Sequence, residues 1–464
     1  MTPRDRERRE ADRRAATRDA AARAEADEVY REILRRTPEH EIDPSNRRVR
    51  EVCELLGDPQ RAYRVVHLTG TNGKTSTSRM VERLLREHGL RTGRFTSPHL
   101  TRVNERIAID GEPIDDATFV ATYRDVLPYV EMVDARSAER GEPQLSFFEV
   151  FVVMAFAAFA DAPVDVAVVE VGMGGSWDAT NVADGDVAVI TPVGMDHEQW
   201  LGDSVLDIAA VKAGIVKDGA TLVLAEQSED VEAVILQVAA ERGARVVREG
   251  VDISVVDRQV AVGGQVLTLR GLGGVYADIF MPLHGAFQAQ NALLALVAVE
   301  VLLTGGAALD GDVVGAAFDD ASSPGRLEVV RSSPTVLVDG AHNPAGATAM
   351  VASLDEAFAF ERLVGVVGVM ADKDPEGILS VLEPELAEIV VTQAGTARAM
   401  PADELGQIAV EVFGEDRVHV VERLDAAVAL AVERAESEVE RGAGVLVTGS
   451  ILLVAEARVL LGRP

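Results

Sequence analysis

The chain has 464 residues, 47% of them apolar and 26% charged, enough to bury two or three cores; we expect two domains. Its 76 acidic and 45 basic residues give a formal charge of −31. That charge argues against nucleic acid or an anionic membrane as partner, and any anionic ligand must enter a local basic pocket. A single cysteine, Cys53, excludes an internal disulfide framework and is expected as a small buried hydrophobe on a helix from Val49 to Leu56.

Residues 1 to about 25 are mostly charge and alanine, without the apolar core of a secretory signal, and predict a solvated, fraying helix. The strand Val65-Val66 then runs into His67-Leu-Thr-Gly-Thr-Asn-Gly-Lys-Thr-Ser76, followed by a helix from Thr75 to Gly89. This strand, glycine turn and helix read as a phosphate cradle. Backbone N–H groups of Gly70, Thr71, Asn72, Gly73 and Lys74 face anionic oxygens, Lys74 adds a fixed charge, and Thr75 reaches Mg²⁺. Leu68 stands where the full motif has its first glycine, and a plain glycine turn with an exposed lysine is the alternative. The expected guest is a nucleoside triphosphate.

Further on, Arg94-Phe95-Thr96, a helix over Phe148 to Ala160, and strands over Val166 to Val171 and Val187 to Thr191 give a parallel-sheet rhythm. The run Val150 to Ala160 is too short to span a bilayer, and a cytoplasmic protein is expected. From Val251 to Leu283, short strands broken by glycine predict a small antiparallel sheet. Helices over Gln288 to Leu303 and Asp312 to Phe318 lead to a linker at Ser322-Ser-Pro-Gly325. The rhythm restarts with Val336 to Asp339, Leu363 to Val369, Ile389 to Thr392, Val418 to Val421 and Val445 to Thr448. The fold class is thus α/β: a P-loop NTPase-type parallel-sheet domain with a flanking antiparallel sheet, then a smaller Rossmann-like domain. Expected boundaries are 1–25 for the extension, 26–321, a linker at 322–326, and 327–464.

Only four of the basic residues are lysine: Lys74, Lys212, Lys217 and Lys373. Arginine serves as surface charge but cannot replace a compact ammonium or an amine that loses its proton. The retained lysines are therefore functional candidates, except Lys217, whose turn Val-Lys-Asp-Gly suits a chance survivor of codon bias. Glu170 ends the buried strand Val166 to Val171 before Gly172-Met-Gly-Gly175. A carboxylate there either binds Mg²⁺ or positions water, or else forms a structural ion pair. Asp196-His197 follows the next strand, and His197 is either a metal ligand or a loop histidine that only hydrogen-bonds. Asp339-Gly-Ala-His-Asn-Pro344 closes the first strand of the second domain, where Asp339 and His342 either hold a nucleotide across a cleft or stand beside a simple Asn-Pro turn.

The ordered set Gly70-Thr-Asn-Gly-Lys-Thr75, Thr96-Ser-Pro-His-Leu100, Glu170-Val-Gly-Met-Gly-Gly175, Asp178-Ala-Thr-Asn181, Asp196-His197, Lys212-Ala-Gly-Ile215, His284-Gly285, Gln288 with Asn291, Gly325-Arg-Leu-Glu328 and Asp339-Gly-Ala-His-Asn-Pro344 resembles the dihydrofolate synthase/folylpolyglutamate synthase family, a branch of the Mur ligases. The resemblance runs from about Glu41 to the C-terminus. It implies an ATP-dependent amide ligase that phosphorylates a carboxylate of dihydropteroate or a reduced folate and lets the amine of L-glutamate attack. It further implies that Lys74 holds the β- and γ-phosphates, with Ser76 in the same nucleotide loop. By the same resemblance Ser97 and Glu170 bind one Mg²⁺, and His197 helps bind a second. Lys212 matches a lysine that relatives carbamylate, turning an amine into a carboxylate-like ligand. Asn291, Arg326 and Asp339 match nucleotide contacts, with Arg326 and His342 catalytic across the cleft. Ile42, Asp43, Pro44, Arg48, Ser146, Phe148 and Glu149 match a pterin-facing wall. The family also implies a monomer.

Three positions depart from that pattern. Ser176 replaces a basic residue, Val211 a glutamate and Phe287 a histidine, while the implied metal and phosphate ligands are all retained. Two other readings share the phosphate loop. One is a ligase of peptidoglycan precursors, disfavoured by the Thr96 to Leu100 loop and by the lack of a nucleotide-sugar domain before the phosphate loop. The other is a nucleotide-binding regulator, which has no need of Lys212 or Arg326.

Overall fold

The structure is a computed structural model that describes residues 3–38, 41, 43–437 and 442–463, so Ile42 lies outside the described residues. Among these, the strands form three sheets. The first contains β1 (Arg64–Thr69), β2 (Thr92–Phe95), β3 (Ile107–Ile109), β4 (Glu112–Pro113), β5 (Val166–Glu170), β6 (Val187–Ile190), β7 (Thr221–Leu224) and β8 (Arg245–Arg248). Their order is β4-β3-β2-β5-β1-β6-β7-β8. From β2 to β8 neighbours run parallel, while β3 and β4 fold back antiparallel at one edge. Val65, Val66 and Leu68 of β1 are fully buried, as expected for a strand covered by helices on both faces. Chain order reverses around β1, because β5 and β2 lie on one side and β6 to β8 on the other. Open α/β sheets bind ligands in the crevice at such a reversal.

The second sheet is an antiparallel meander of β9 (Ser254–Ala261), β10 (Gly264–Arg270) and β11 (Val275–Met281). Its inner residues Leu267, Leu269, Ile279 and Met281 share a core with the helix Ala286–Thr304. That helix is long and apolar enough to cross a bilayer, yet 78% of its apolar window is buried inside the protein. Its one carboxylate, Glu300, is fully buried and accepts from Leu272 N at 2.7 Å, Gly273 N at 3.2 Å and Tyr276 Oη at 2.8 Å. The third sheet comprises β12 (Glu328–Ser332), β13 (Thr335–Val338), β14 (Arg362–Val367), β15 (Glu388–Val391), β16 (Val418–Val420) and β17 (Ala443–Thr448). Its order is β12-β13-β17-β14-β15-β16, parallel except for β12.

Expected helices sit within two residues of their predicted limits, at Lys74–Glu87, Phe147–Asp161, Ala286–Thr304 and Gly311–Asp319. Cys53 is buried on the helix Arg47–Leu55. The charged N-terminal stretch belongs to the helix Pro3–Ile33, whose last turns bury Ala26, Val29 and Ile33. The structure adds elements the pattern did not single out: β7, β8 and the helices Asp116–Glu139 and Glu229–Glu241.

His67, in the middle of β1, is fully buried. Its Nε2 lies 2.9 Å from Thr180 Oγ1, and its Nδ1 has no partner. Burial, aided by the Lys217 charge, pushes its pKa down to about 3 from 6.5. The folded state thus binds its proton more weakly than the unfolded chain, so the contribution is complete above pH 6.5 and is lost as pH falls toward 3. Between pH 6.5 and 5 this site should account for about 2 kcal/mol of lost stability. Urea unfolding of wild type and His67→Gln at both pH values measures it: the variant should lose less on acidification, and equal losses would refute the assignment.

Candidate active site

The phosphate loop leaves β1 at the point of chain reversal. Gly70 and Gly73 have φ of +146° and +89°. A methyl group at Gly70 would lie 1.9 Å from Thr191 Oγ1, and one at Gly73 would lie 2.5 Å from Asn291 Oδ1, so both positions require glycine. Thr191 Oγ1 holds the loop by donating to Asn72 O at 2.7 Å. Thr71 Oγ1 donates to Gly194 O at 3.0 Å. Lys74 Nζ donates to Gly70 O at 3.0 Å and Thr71 O at 3.1 Å, folded over the loop it serves.

Around this loop lies a cavity of about 1110 Å³ between the two domains. Its floor carries an acid and a second lysine. Glu170 is 1% exposed; its Oε1 accepts from Thr75 Oγ1 at 2.9 Å, while Oε2 is buried without a partner. Burial raises its pKa to about 7, against the opposing pull of Lys74 and the Thr75 bond. Lys212 donates to Gly70 O at 2.7 Å and is 4% exposed. Burial and then the Lys74 charge lower its pKa to about 7. Burial likewise lowers that of Lys74, with Glu170 and Asp196 resisting.

The second domain closes over this floor through Asp196. Lys373 Nζ lies 2.6 Å from Asp196 Oδ1, Asn343 Nδ2 donates to Oδ2 at 3.2 Å, and His342 Nε2 stands 3.5 Å from Oδ2. Burial opposes the charge on Asp196, but the His342 contact, His197 and the Lys373 ammonium hold its carboxyl below the ordinary range. His197, at φ +55°, stands 3.8 Å from the same carboxylate, and burial lowers its pKa to about 3, so its imidazole is neutral. Asn72 of the phosphate loop and Asn343 exchange a side-chain bond of 3.3 Å across the cleft. Asp339 uses Oδ1 to accept from Ala341 N and Oδ2 to accept from Leu327 N, both at 2.8 Å, and so shapes the loop carrying His342. Arg326 packs against Gly340, where a methyl group would lie 2.2 Å from its Nη1.

Ser97, Asp43, Arg48, Ser146, Phe148 and Glu149 line the same cavity, while Pro44 is exposed and does not. Arg48 reaches both Glu149 Oε1 at 3.0 Å and Asp43 Oδ2 at 2.5 Å. Glu149 accepts from Ser146 N at 2.7 Å, a capping box that starts the helix Phe147–Asp161. Phe148 lies on Gly172, where a methyl group would fall 2.4 Å from its ring. Ser176 N donates to Val211 O at 2.9 Å, so two of the departures from the family pattern are neighbours along the backbone. The third, Phe287, joins the cavity wall. Three of the four lysines line this cavity; Lys217 instead donates to Asn181 O at 2.8 Å.

Residues 130–299 match the Mur ligase middle domain, and residues 325–451 match the Mur ligase glutamate ligase domain. The dihydrofolate synthase/folylpolyglutamate synthase of Mycobacterium tuberculosis is 50% identical over 448 residues, covering 92% of each chain. The chain belongs to the dihydrofolate synthase/folylpolyglutamate synthase family. The Bacillus subtilis dihydrofolate synthase/folylpolyglutamate synthase is 32% identical over 90% of this chain and 95% of its own. Mycobacterium tuberculosis folylpolyglutamate synthase complexed with ADP and AMPPCP superposes with a TM-score of 0.91 at 48% identity, covering 96% of this chain and 99% of that one. The Escherichia coli enzyme in complex with DHPP and ADP gives 0.78 at 29% identity over 90% and 94%. Membership makes this chain a ligase that forms C–N bonds, which sets aside the non-ligating regulator. For a dihydrofolate synthase/folylpolyglutamate synthase, the cleft residues that sequence reasoning left without a role are Asp196, Asn343 and Lys373. The scarcity of lysine flagged Lys373, but only the fold reveals its partner.

Proposed function

We propose that the protein is a bifunctional dihydrofolate synthase and folylpolyglutamate synthase, acting as a cytoplasmic monomer. ATP phosphorylates a carboxylate of dihydropteroate or a reduced folate, releasing ADP; the amine of L-glutamate then displaces phosphate and forms the amide. The observation that carries this reading is the 50% identity spanning 92% of both chains, joined to a cleft in which Lys74, Arg326 and Lys373 converge in a protein of net charge −31. Two anions react here, and bound metal together with these few local cations offsets their repulsion.

In this reading residues 26–321 bind ATP and 327–464 bring the glutamate side, with 322–326 between. Gly70 to Ser76 hold the phosphates, Ser76 through its backbone N–H alone, Lys74 offsets the charge on the γ-phosphoryl, and Asn291 and Asp339 frame the nucleotide. Arg326 and His342 approach the reacting groups from the second domain. Asp43, Arg48, Ser146, Phe148 and Glu149 face the pterin.

Among the described residues, no three His, Cys, Asp or Glu gather into a ready metal cluster. Mg²⁺ needs none, because it binds through one or two carboxylates, substrate phosphates and retained waters. The unpartnered Glu170 Oε2 beside Thr75 fits one such ion, and Ser97 lines the same cavity. When bound, Mg²⁺ would offset phosphate charge in the transferring group. A second ion near neutral His197 fits only if Lys212 turns from a cation into an anion. Its pKa near 7 supports that change, since the uncharged amine is the form that adds CO₂ to give a carbamate and a proton.

Purified protein with ATP, Mg²⁺ and labelled L-glutamate should yield ADP and labelled product with dihydropteroate and with tetrahydrofolate alike. Product from one acceptor narrows the reading to that activity, and product from neither overturns it.

A further inference from the structure

The interdomain linker is tied to the phosphate-loop helix by one buried contact. Ser76 Oγ, two residues after Lys74, lies 2.8 Å from Ser323 Oγ, and the two residues are 3% and 5% exposed. Ser76 also receives Gln288 Nε2 at 3.4 Å, and Gln288 Oε1 accepts from Asn291 Nδ2 at 3.1 Å. Asn291 in turn stands against Gly73. The chain Gly73, Asn291, Gln288, Ser76, Ser323 therefore runs unbroken from the phosphate loop to the linker.

Ser323 is also the first residue of the turn that delivers Arg326. Its carbonyl accepts from Arg326 N at 3.2 Å. Glu328 Oε2 accepts from Gly325 N at 2.7 Å, and Gly325 O accepts from Gly340 N at 2.9 Å. Gly325 and Leu327 have φ of +71° and +45°, so the turn has little freedom once its ends are fixed. Its far end is held by the Leu327 N bond to Asp339 at 2.8 Å; its near end is held by Ser76. A hydroxyl pair that is buried, ties the first domain to the linker and ends three residues from a cleft arginine does more than fill space.

We propose that Ser323 is a positioning residue for Arg326: the Ser76–Ser323 hydrogen bond registers the second-domain arginine against the phosphate loop. The proposal rests on the reading of Arg326 as a group that acts on the transferring phosphoryl. It assigns the hydroxyl of Ser76 to the linker rather than to the nucleotide.

The test measures kcat and KM for ATP, tryptophan-fluorescence titration with ADP (Trp177 and Trp200 line the cleft) and thermal unfolding. It uses Ser323→Ala, Ser76→Ala, their double variant, Arg326→Ala and Arg326→Ala with Ser323→Ala. Ser323→Ala should lower kcat about tenfold, with KM for ATP and ADP affinity changed less than about twofold. The serine double variant should be no slower than the slower single, and Ser323→Ala should have no further effect once Arg326 is gone. Full kcat in Ser323→Ala, or an undiminished effect in the Arg326→Ala background, would overturn the proposal. An inactive wild type would instead overturn the ligase reading beneath it.

Discussion

Lys212→Arg is expected to lower kcat as far as Lys212→Met does, by about 1000-fold, although it preserves the positive charge. The wild-type amine is buried, donates 2.7 Å to Gly70 O, and has its pKa brought to about 7 by burial and the neighbouring Lys74 charge. Near neutral pH a large share of it is uncharged and able to react with CO₂. A guanidinium stays protonated throughout and cannot. Single-turnover ADP release at saturating ATP measures the loss, and ¹³C NMR of wild type under labelled CO₂ looks for the carbamate directly. If Lys212→Arg turned over near the wild-type rate, the side chain would be acting as a plain cation and the carbamate reading would fall.

Glu170→Gln is expected to raise the Mg²⁺ concentration for half-maximal turnover by about 10- to 100-fold and to lower kcat by about 100- to 1000-fold. The substitution keeps the shape and the acceptor for Thr75 Oγ1, so the loop should not move. What it removes is the charge at Oε2, a carboxylate oxygen on the cleft floor that is buried without a partner. An ion pair with a structural role would behave differently: its loss would appear in thermal unfolding and leave the metal requirement unchanged. A Mg²⁺ titration of turnover beside a melting curve separates the two.

Much of this architecture was legible in the sequence because local chemistry carried it. The turn Gly70 to Lys74 announces itself by two glycines between a strand and a helix and by a lysine in an arginine-rich chain, and β5 by an apolar run that ends on one acid. The helix Asp116–Glu139 escaped notice although Phe119, Tyr123, Val126, Val130 and Val133 recur at helical spacing, because Pro128 sits inside it and reads as a break. Long-range relations were the other gap. Nothing near Asp196 says that Lys373, His342 and Asn343 come from another domain to surround it. Ser76 reads as a phosphate-loop hydroxyl, yet its oxygen points at the linker. Spacing along a chain reports which face a residue occupies and is silent on what the fold brings to that face.

The packing of the helix Ala286–Thr304 against Lys74–Glu87 has a consequence for how the molecule is made. Met80, Leu84 and Leu85 on the earlier helix share their core with Ala292 to Val299 on the later one. At a translation speed of about 10 residues per second, roughly 20 s separate the emergence of the two partners from the ribosome. Over that interval the apolar side of the phosphate-loop helix has only the sheet strands β1, β2 and β5 to rest on and lacks its helical cover. The nucleotide cradle is thus among the first parts of the protein to be synthesised and among the last parts of its domain to be buttressed.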